Sequence, residues 1–319
     1  MNTWTTRAVT AATASAAALA LAGCGTSDDA AAGGGDGLTV VAGFYPLEWA
    51  AQRVGDERLE VSSLTPPGAE AHDLELAPRD VAAVAEADLL VYLEGFQPAL
   101  DEAAATEAAD TAWDAGQAAD LSLTAEEHGH EGETAEEHAE HAGDEEAPDP
   151  HFWLDPTRLA SVGDALAGRL AEADPDGAAT YEQNAAALRA DLEALDAEMQ
   201  AGLADCAVDT LVTSHDAFGY LADRYGLEVV GISGLSPSAE PDPAQLAEIT
   251  ALVQERGVST VYTETLVDPA VAETVAEEAG VQTAVLDPLE GLTDESAGSD
   301  YLEVMRANLA TLQEGQSCA

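Results

Sequence analysis

From Leu38 onward, short apolar runs alternate with stretches whose apolar residues recur at helical spacing. Leu38-Thr-Val-Val-Ala-Gly-Phe44 reads as a strand and leads into a helix through Trp49 and Val54. Val61-Ser-Ser-Leu64, Leu89-Leu-Val-Tyr-Leu93 and Phe152-Trp-Leu154 read as further strands, with helical segments near Asp80 to Ala87 and Pro98 to Thr106 between them. Each run is short and apolar on both faces, the pattern of a parallel sheet covered by helices.

After Pro156 the pattern is helical. Val162, Leu166 and Leu170 repeat at spacing four, Asp174-Pro175 interrupts, and Tyr181, Leu188, Leu192, Leu195 and Met199 then form one apolar stripe. A helix of that length can bridge two lobes. The alternation resumes with strands at Thr210 to Thr213, Glu228 to Ile232, Ser259 to Tyr262 and Gln282 to Leu286, and helices at Ala217 to Tyr225, Pro243 to Arg256 and Pro269 to Ala279. The predicted organisation is an α/β lobe over residues 38–156, a helical region with an interlobe helix over 157–205, and a second α/β lobe over 206–319.

Two segments stand outside this pattern. Residues 1–23 run from a polar start with Arg7 into an apolar stretch too short to span a bilayer, and Leu21-Ala22-Gly23-Cys24 resembles a bacterial lipobox. That predicts cleavage before Cys24, a lipid on its thiol, and a flexible tether over residues 24–37 that holds a soluble body outside the cytoplasmic membrane. Residues 125–146 hold His128, His130, His138 and His141 among ten acidic residues and almost nothing apolar, which predicts a disordered loop. Read functionally, those imidazoles collect metal weakly; read plainly, the loop is a solvated acidic insertion.

Composition narrows the partners. There are 62 acidic residues against 10 basic ones, all arginine, giving a net charge of -52 that excludes nucleic-acid binding and concentrates cations near the surface. The acids are spread along the whole chain, so most are a solvated face and not ligands. Besides Cys24, Cys206 and Cys318 remain; in an oxidising compartment they form either a disulfide or two unpaired buried thiols.

Outside the loop the chain has three histidines: His72 after the Pro66-Pro67-Gly68 turn, His151 in Pro150-His-Phe-Trp-Leu-Asp-Pro156, and His215 directly after a strand. Glu264 and Asp287 also follow strands. Ligands in open α/β sheets sit beyond the carboxyl ends of the strands, so these side chains can meet between the lobes. Three imidazoles and a carboxylate suit a tetrahedral ion, and imidazole favours Zn, Cu, Ni or Fe over Mn, Mg and Ca. Helical His-Glu-x-x-His pairs and nucleophile elbows are absent from the sequence, which argues against a zinc hydrolase.

Six stretches, in order, are specific. They are Gly68-Ala-Glu-Ala-His-Asp-Leu-Glu-Leu-Ala-Pro-Arg-Asp80, Asp149-Pro-His-Phe-Trp-Leu-Asp-Pro156, Thr213-Ser-His-Asp-Ala-Phe218, Gly231-Ile-Ser-Gly-Leu-Ser-Pro237, Tyr262-Thr-Glu-Thr265 and Leu286-Asp-Pro-Leu-Glu-Gly-Leu292. Across Leu38 to about Leu312 the chain resembles the ZnuA-like and TroA-like metal receptors of bacterial ABC importers. The resemblance implies two α/β lobes joined by a long rigid helix and Zn2+ held as cargo by His72, His151 and His215. It implies Asp287 as fourth ligand, with Glu264 as the alternative or as a hydrogen-bond partner of a ligand. It further implies a non-enzymatic monomer that delivers zinc to a permease with its ATPase, the loop histidines being auxiliary. A manganese or iron receptor of the same family, and a zinc-dependent adhesin or metallochaperone, are the alternative functions. Histidine at position 215 favours zinc, because manganese members tend to carry a carboxylate there.

Overall fold

A computed structural model describes residues 37–124, 148–239 and 241–319; residues 1–36, with Cys24, and 125–147, with the four loop histidines, lie outside them. Strands β1 (Leu38–Ala42), β2 (Leu59–Ser63), β3 (Leu89–Tyr92) and β4 (Ala112–Asp114) form one parallel sheet in the order β2-β1-β3-β4. Strands β5 (Thr210–Thr213), β6 (Glu228–Gly231), β7 (Thr260–Thr263) and β8 (Gln282–Val285) repeat it as β6-β5-β7-β8, again all parallel.

Parallel strands need crossovers, and the helices supply them: α1 (Tyr45–Gly55), α2 (Pro78–Glu86), α3 (Pro98–Glu107) and the single turn α4 (Gly116–Ala119) around the first sheet, α7 (Gly219–Tyr225), α8 (Pro243–Arg256), α9 (Ala270–Ala279) and α10 (Tyr301–Gly315) around the second. Between the sheets run α5 (Pro156–Ala173) and α6 (Ala178–Leu203). The central strands of each sheet are buried on both faces. In β1, Val40 and Ala42 enter a large core shared by both halves, while Val41 between them points into a separate cluster with Leu90 and Leu100. In β5 and β7, Leu211 and Tyr262 face that shared core, whereas Val212 and Val261 pack with Ile249, Val253 and Val275. The period of two thus divides these central strands between two cores, which explains why their runs read as continuously apolar.

The apolar stripe of α6 is buried at Tyr181, Leu188, Leu192, Leu195 and Met199. It packs on α5 and α1 on one side and on α10 on the other, so one straight element touches both halves. Asp196 of α6 accepts from Arg224 Nε and Nη2 at 2.9 and 2.7 Å and from the Tyr225 hydroxyl at 3.2 Å, tying the helix to α7. Residues 37–319 form one compact unit, and none of the described helices is long and apolar enough to cross a membrane.

Four elements differ from the sequence expectation, the single turn α4 being one that no apolar spacing announced. Phe152–Leu154 is a 3-10 turn and not a strand. Its three side chains are all buried, so an apolar run signalled burial but not extension. The fourth strand of the first sheet is instead Ala112–Asp114, too short and mixed to show a pattern. Helix α10 was not anticipated in the sequence, although Asp300 caps it by accepting from Glu303 N–H at 2.9 Å. Cys206 and Cys318 are joined as a disulfide across a separation of 112 residues.

Candidate metal centre

Each candidate ligand stands where the chain leaves regular structure. His72 lies between β2 and α2, in a loop where Glu70 accepts the backbone N–H groups of His72 and Asp73 at 2.9 and 3.0 Å. His151 immediately precedes the 3-10 turn Phe152–Leu154, and Asp155 after it caps α5 by accepting from Thr157 N–H. His215 follows β5, and Thr213 Oγ1 donates to its carbonyl at 2.7 Å. Beyond β8 the chain folds back at Leu289, a non-glycine residue with φ of +59°, and presents Glu290.

These four residues converge. Glu290 Oε1 lies 3.3 Å from His72 Nε2, 3.5 Å from His151 Nε2 and 3.2 Å from His215 Nε2, and the His72 and His151 Nε2 atoms are 3.3 Å apart. All four ligand atoms fall within 4.8 Å of one another. A tetrahedral zinc ion with bonds of about 2.0–2.2 Å separates its ligand atoms by roughly 3.3–3.6 Å, so the four spacings of 3.2–3.5 Å match a coordination shell. His215 Nε2 is buried and makes no hydrogen bond despite its distance from Glu290, an expensive arrangement unless a cation completes it.

The remaining ring nitrogens explain the orientation. Asp149 Oδ1 is 2.8 Å from His151 Nδ1, and Glu264 Oε2 is 2.6 Å from His215 Nδ1. A carboxylate on Nδ1 fixes the tautomer that leaves Nε2 free as a donor to metal. Under the first-half histidines lies an aromatic floor, with Phe96 edge-on to His72 at 4.5 Å and Trp153 at 5.3 Å from His151. Trp153 also reaches across: its Nε1 donates to Pro288 O at 2.8 Å, two residues before Glu290. Gly68 N–H donates to Leu292 O at 3.1 Å, so backbone from both halves closes over the site.

Burial sets the charges. It presses the His72 imidazole below its ordinary pKa. Burial acts the same way on His151 and His215, but Asp149 and Glu290 raise the first, and Glu264 with Glu290 carry the second well above the ordinary value. Burial would raise Glu290, yet the three imidazoles hold it well below the usual carboxylate range. Glu70 is pushed up to about 7 by burial, reinforced by the nearby Glu290 charge.

The structure therefore brings together His72, His151 and His215, and places Glu264 against His215 instead of in the shell. Asp287, the expected fourth ligand, is outside the cluster, and the carboxylate that stands among the three imidazoles is that of Glu290. Asp287 Oδ1 accepts from Leu289 N–H at 2.8 Å and Oδ2 from the Ser296 hydroxyl at 3.0 Å. It shapes the turn that delivers Glu290. The missed residue stood in the same motif, Leu286-Asp-Pro-Leu-Glu-Gly-Leu292; the first carboxylate after a strand is the natural choice unless the chain reverses, and the reversal depends on the left-handed Leu289.

Comparison with known proteins gives a concordant picture. Residues 40–315 match the family described as ZnuA, zinc-uptake complex component A, periplasmic. The high-affinity zinc uptake system protein ZnuA of Bacillus subtilis (strain 168) is 36% identical over 302 residues, covering 92% of this chain and 93% of that protein. The zinc-binding lipoprotein AdcA of Streptococcus pneumoniae is 36% identical over 283 residues, 87% of this chain and 55% of that protein. The chain thus spans about half the length of the AdcA relatives. Among solved structures, the laminin binding protein Lmb of Streptococcus agalactiae, described as bifunctional with adhesin and metal transporting activity, superposes with a TM-score of 0.74 at 31% identity, over 88% of this chain and 100% of that one.

Proposed function

We propose, because this chain belongs to the ZnuA family of zinc-uptake components, that it captures Zn2+ between its two halves and delivers it to an ABC permease. The observation that carries the reading is the cluster of His72, His151, His215 and Glu290 at mutual spacings that fit a tetrahedral ion. Three neutral imidazoles and one carboxylate give a net charge of +1 with zinc, and the donor set is softer than manganese or calcium prefers. The ion is cargo. Four protein ligands leave no coordination position for a water, which supports binding without catalysis.

Release requires the halves to part, since two ligands come from each. The Trp153 to Pro288 and Gly68 to Leu292 hydrogen bonds are among the contacts that parting would break, with that of the Tyr301 hydroxyl to Trp153 O. A permease that grips both halves can exchange those contacts for its own. The motif Leu21-Ala22-Gly23-Cys24 supports a lipid anchor at Cys24 that keeps the receptor near that permease outside the cytoplasmic membrane.

The test is calorimetric titration of the soluble body with zinc, with manganese as competitor and His215→Ala as control. One tight zinc site that manganese does not displace and that His215→Ala weakens is expected. Tight binding lost on removal of residues 125–146 alone would instead put the site in the histidine-rich segment.

A further inference from the structure

The three histidines are not held alike. His151 and His215 each have a carboxylate on Nδ1, from Asp149 and Glu264. His72 stands in a long loop, and its side chain is 10% exposed where those of His151 and His215 are fully buried. Glu70 holds the backbone N–H of His72 from within the loop, and the turn between β3 and α3 ties the loop to the sheet. Gln97 is 1% exposed, and its Nε2 donates to Ala71 O at 2.9 Å and to Thr65 Oγ1 at 3.0 Å. Thr65 Oγ1 spends its own hydrogen on Gly43 O at 2.8 Å, so towards Gln97 it can only accept. That settles the amide orientation without appeal to its flip. The chain of bonds starts at the end of β1 and finishes on the carbonyl one residue before His72.

We infer that Gln97 is a positioning residue for the metal centre: its amide, anchored on β1 through Thr65, holds the Ala71 carbonyl and so sets where the His72 imidazole stands. The inference rests on the zinc reading of the four-residue cluster. Phe96, the neighbouring residue, supplies the other half of the device by packing edge-on against the His72 ring at 4.5 Å. Space is reserved for the amide as well, because a Cβ on Gly43 would lie 2.7 Å from Gln97 Oε1. The histidine without an Asp149- or Glu264-like carboxylate on Nδ1 is thus held through its backbone from the rigid end of the sheet.

A plain core-filling role would lower stability without acting through His72. The experiment is a double-mutant cycle in the full chain, pairing Gln97→Met, which keeps the length and loses both donated bonds, with His72→Ala. Zinc dissociation constants are read by competition with a chromophoric chelator, and the ligand-field spectrum of the Co2+-loaded protein reports the geometry. Gln97→Met is expected to weaken zinc about 10- to 100-fold and alter the cobalt spectrum, yet to add nothing in the His72→Ala background. Gly43→Ala, which pushes the same amide from its other side, should give the same signature and serves if Gln97→Met does not fold. Equal weakening in both backgrounds, or a lowered melting temperature with unchanged affinity and spectrum, would overturn the inference. Wild type without a tight zinc site, or His72→Ala with full affinity, would overturn the zinc reading itself and this inference with it.

Discussion

Glu264 grips His215 twice: Oε1 accepts its backbone N–H at 3.0 Å and Oε2 lies 2.6 Å from its Nδ1, with both side chains fully buried. One carboxylate at the end of β7 therefore fixes both the peptide and the ring of a residue at the end of β5. Glu264→Ala should weaken zinc binding by about 10- to 100-fold, the usual cost of losing the partner of a ligating histidine. Glu264→Gln, which still offers an acceptor, should cost less. Calorimetry on the two variants checks the order; equal affinities for Glu264→Ala and wild type would show that His215 needs no such orientation.

All the strands but β4 were legible as short apolar runs, most clearly the central ones buried on two faces, and the α6 stripe was legible because its spacing persists for several turns. The three histidines were legible by elimination and position, each beside a strand or turn end. What could not be read was geometry that depends on a single dihedral. The left-handed Leu289 decides that Glu290, not Asp287, reaches the cluster, and no residue type at 289 announces it. Phe152–Leu154 failed for a related reason, since a buried apolar triplet looks the same in a strand and in a 3-10 turn.

The division of labour between Asp287 and Glu290 is testable by paired substitution. Glu290→Gln removes the charge next to three imidazoles and should weaken zinc at least about tenfold. Asp287→Ala strips the buried acceptor from Leu289 N–H and the Ser296 hydroxyl, which should cost about 1–3 kcal/mol of stability. Its effect on zinc should follow only from the loosened turn. The reverse ranking, with Asp287→Ala the more damaging to affinity, would favour Asp287 as the ligand.

Binding should depend on pH in a defined direction. In the ion-free protein His151 and His215 have raised pKa values, so each still carries a proton at pH values where an ordinary histidine has lost it. Zinc must displace those protons, and its apparent affinity should fall as pH drops through the raised values. The decline therefore begins above the ordinary imidazole value of about 6.5 and approaches two protons released per ion. His72, with a lowered pKa, joins only in more acid solution. Calorimetry in buffers of different ionisation enthalpy counts the protons; affinity that stayed level down to about pH 5 would contradict the assignment of imidazole ligands.

The disulfide should matter for stability and not for the ion. Cys206 and Cys318 join the segment entering β5 to the chain terminus, at the end of the strand opposite to His215. Closing a loop of 112 residues restricts the unfolded chain by about 4–5 kcal/mol on the loop-entropy estimate. Gln316, two residues before Cys318, adds native contacts that survive reduction, donating through Nε2 to Val208 O and Thr210 O at 3.1 and 2.9 Å and accepting from the Tyr262 hydroxyl at 2.9 Å. The double variant Cys206→Ser, Cys318→Ser should thus fold with α10 still docked, melt at a clearly lower temperature, and bind zinc with wild-type affinity. Thermal denaturation and a zinc titration on that variant decide it; a loss of zinc affinity would mean that the terminus communicates with the cleft through β5, a coupling that the present geometry does not require.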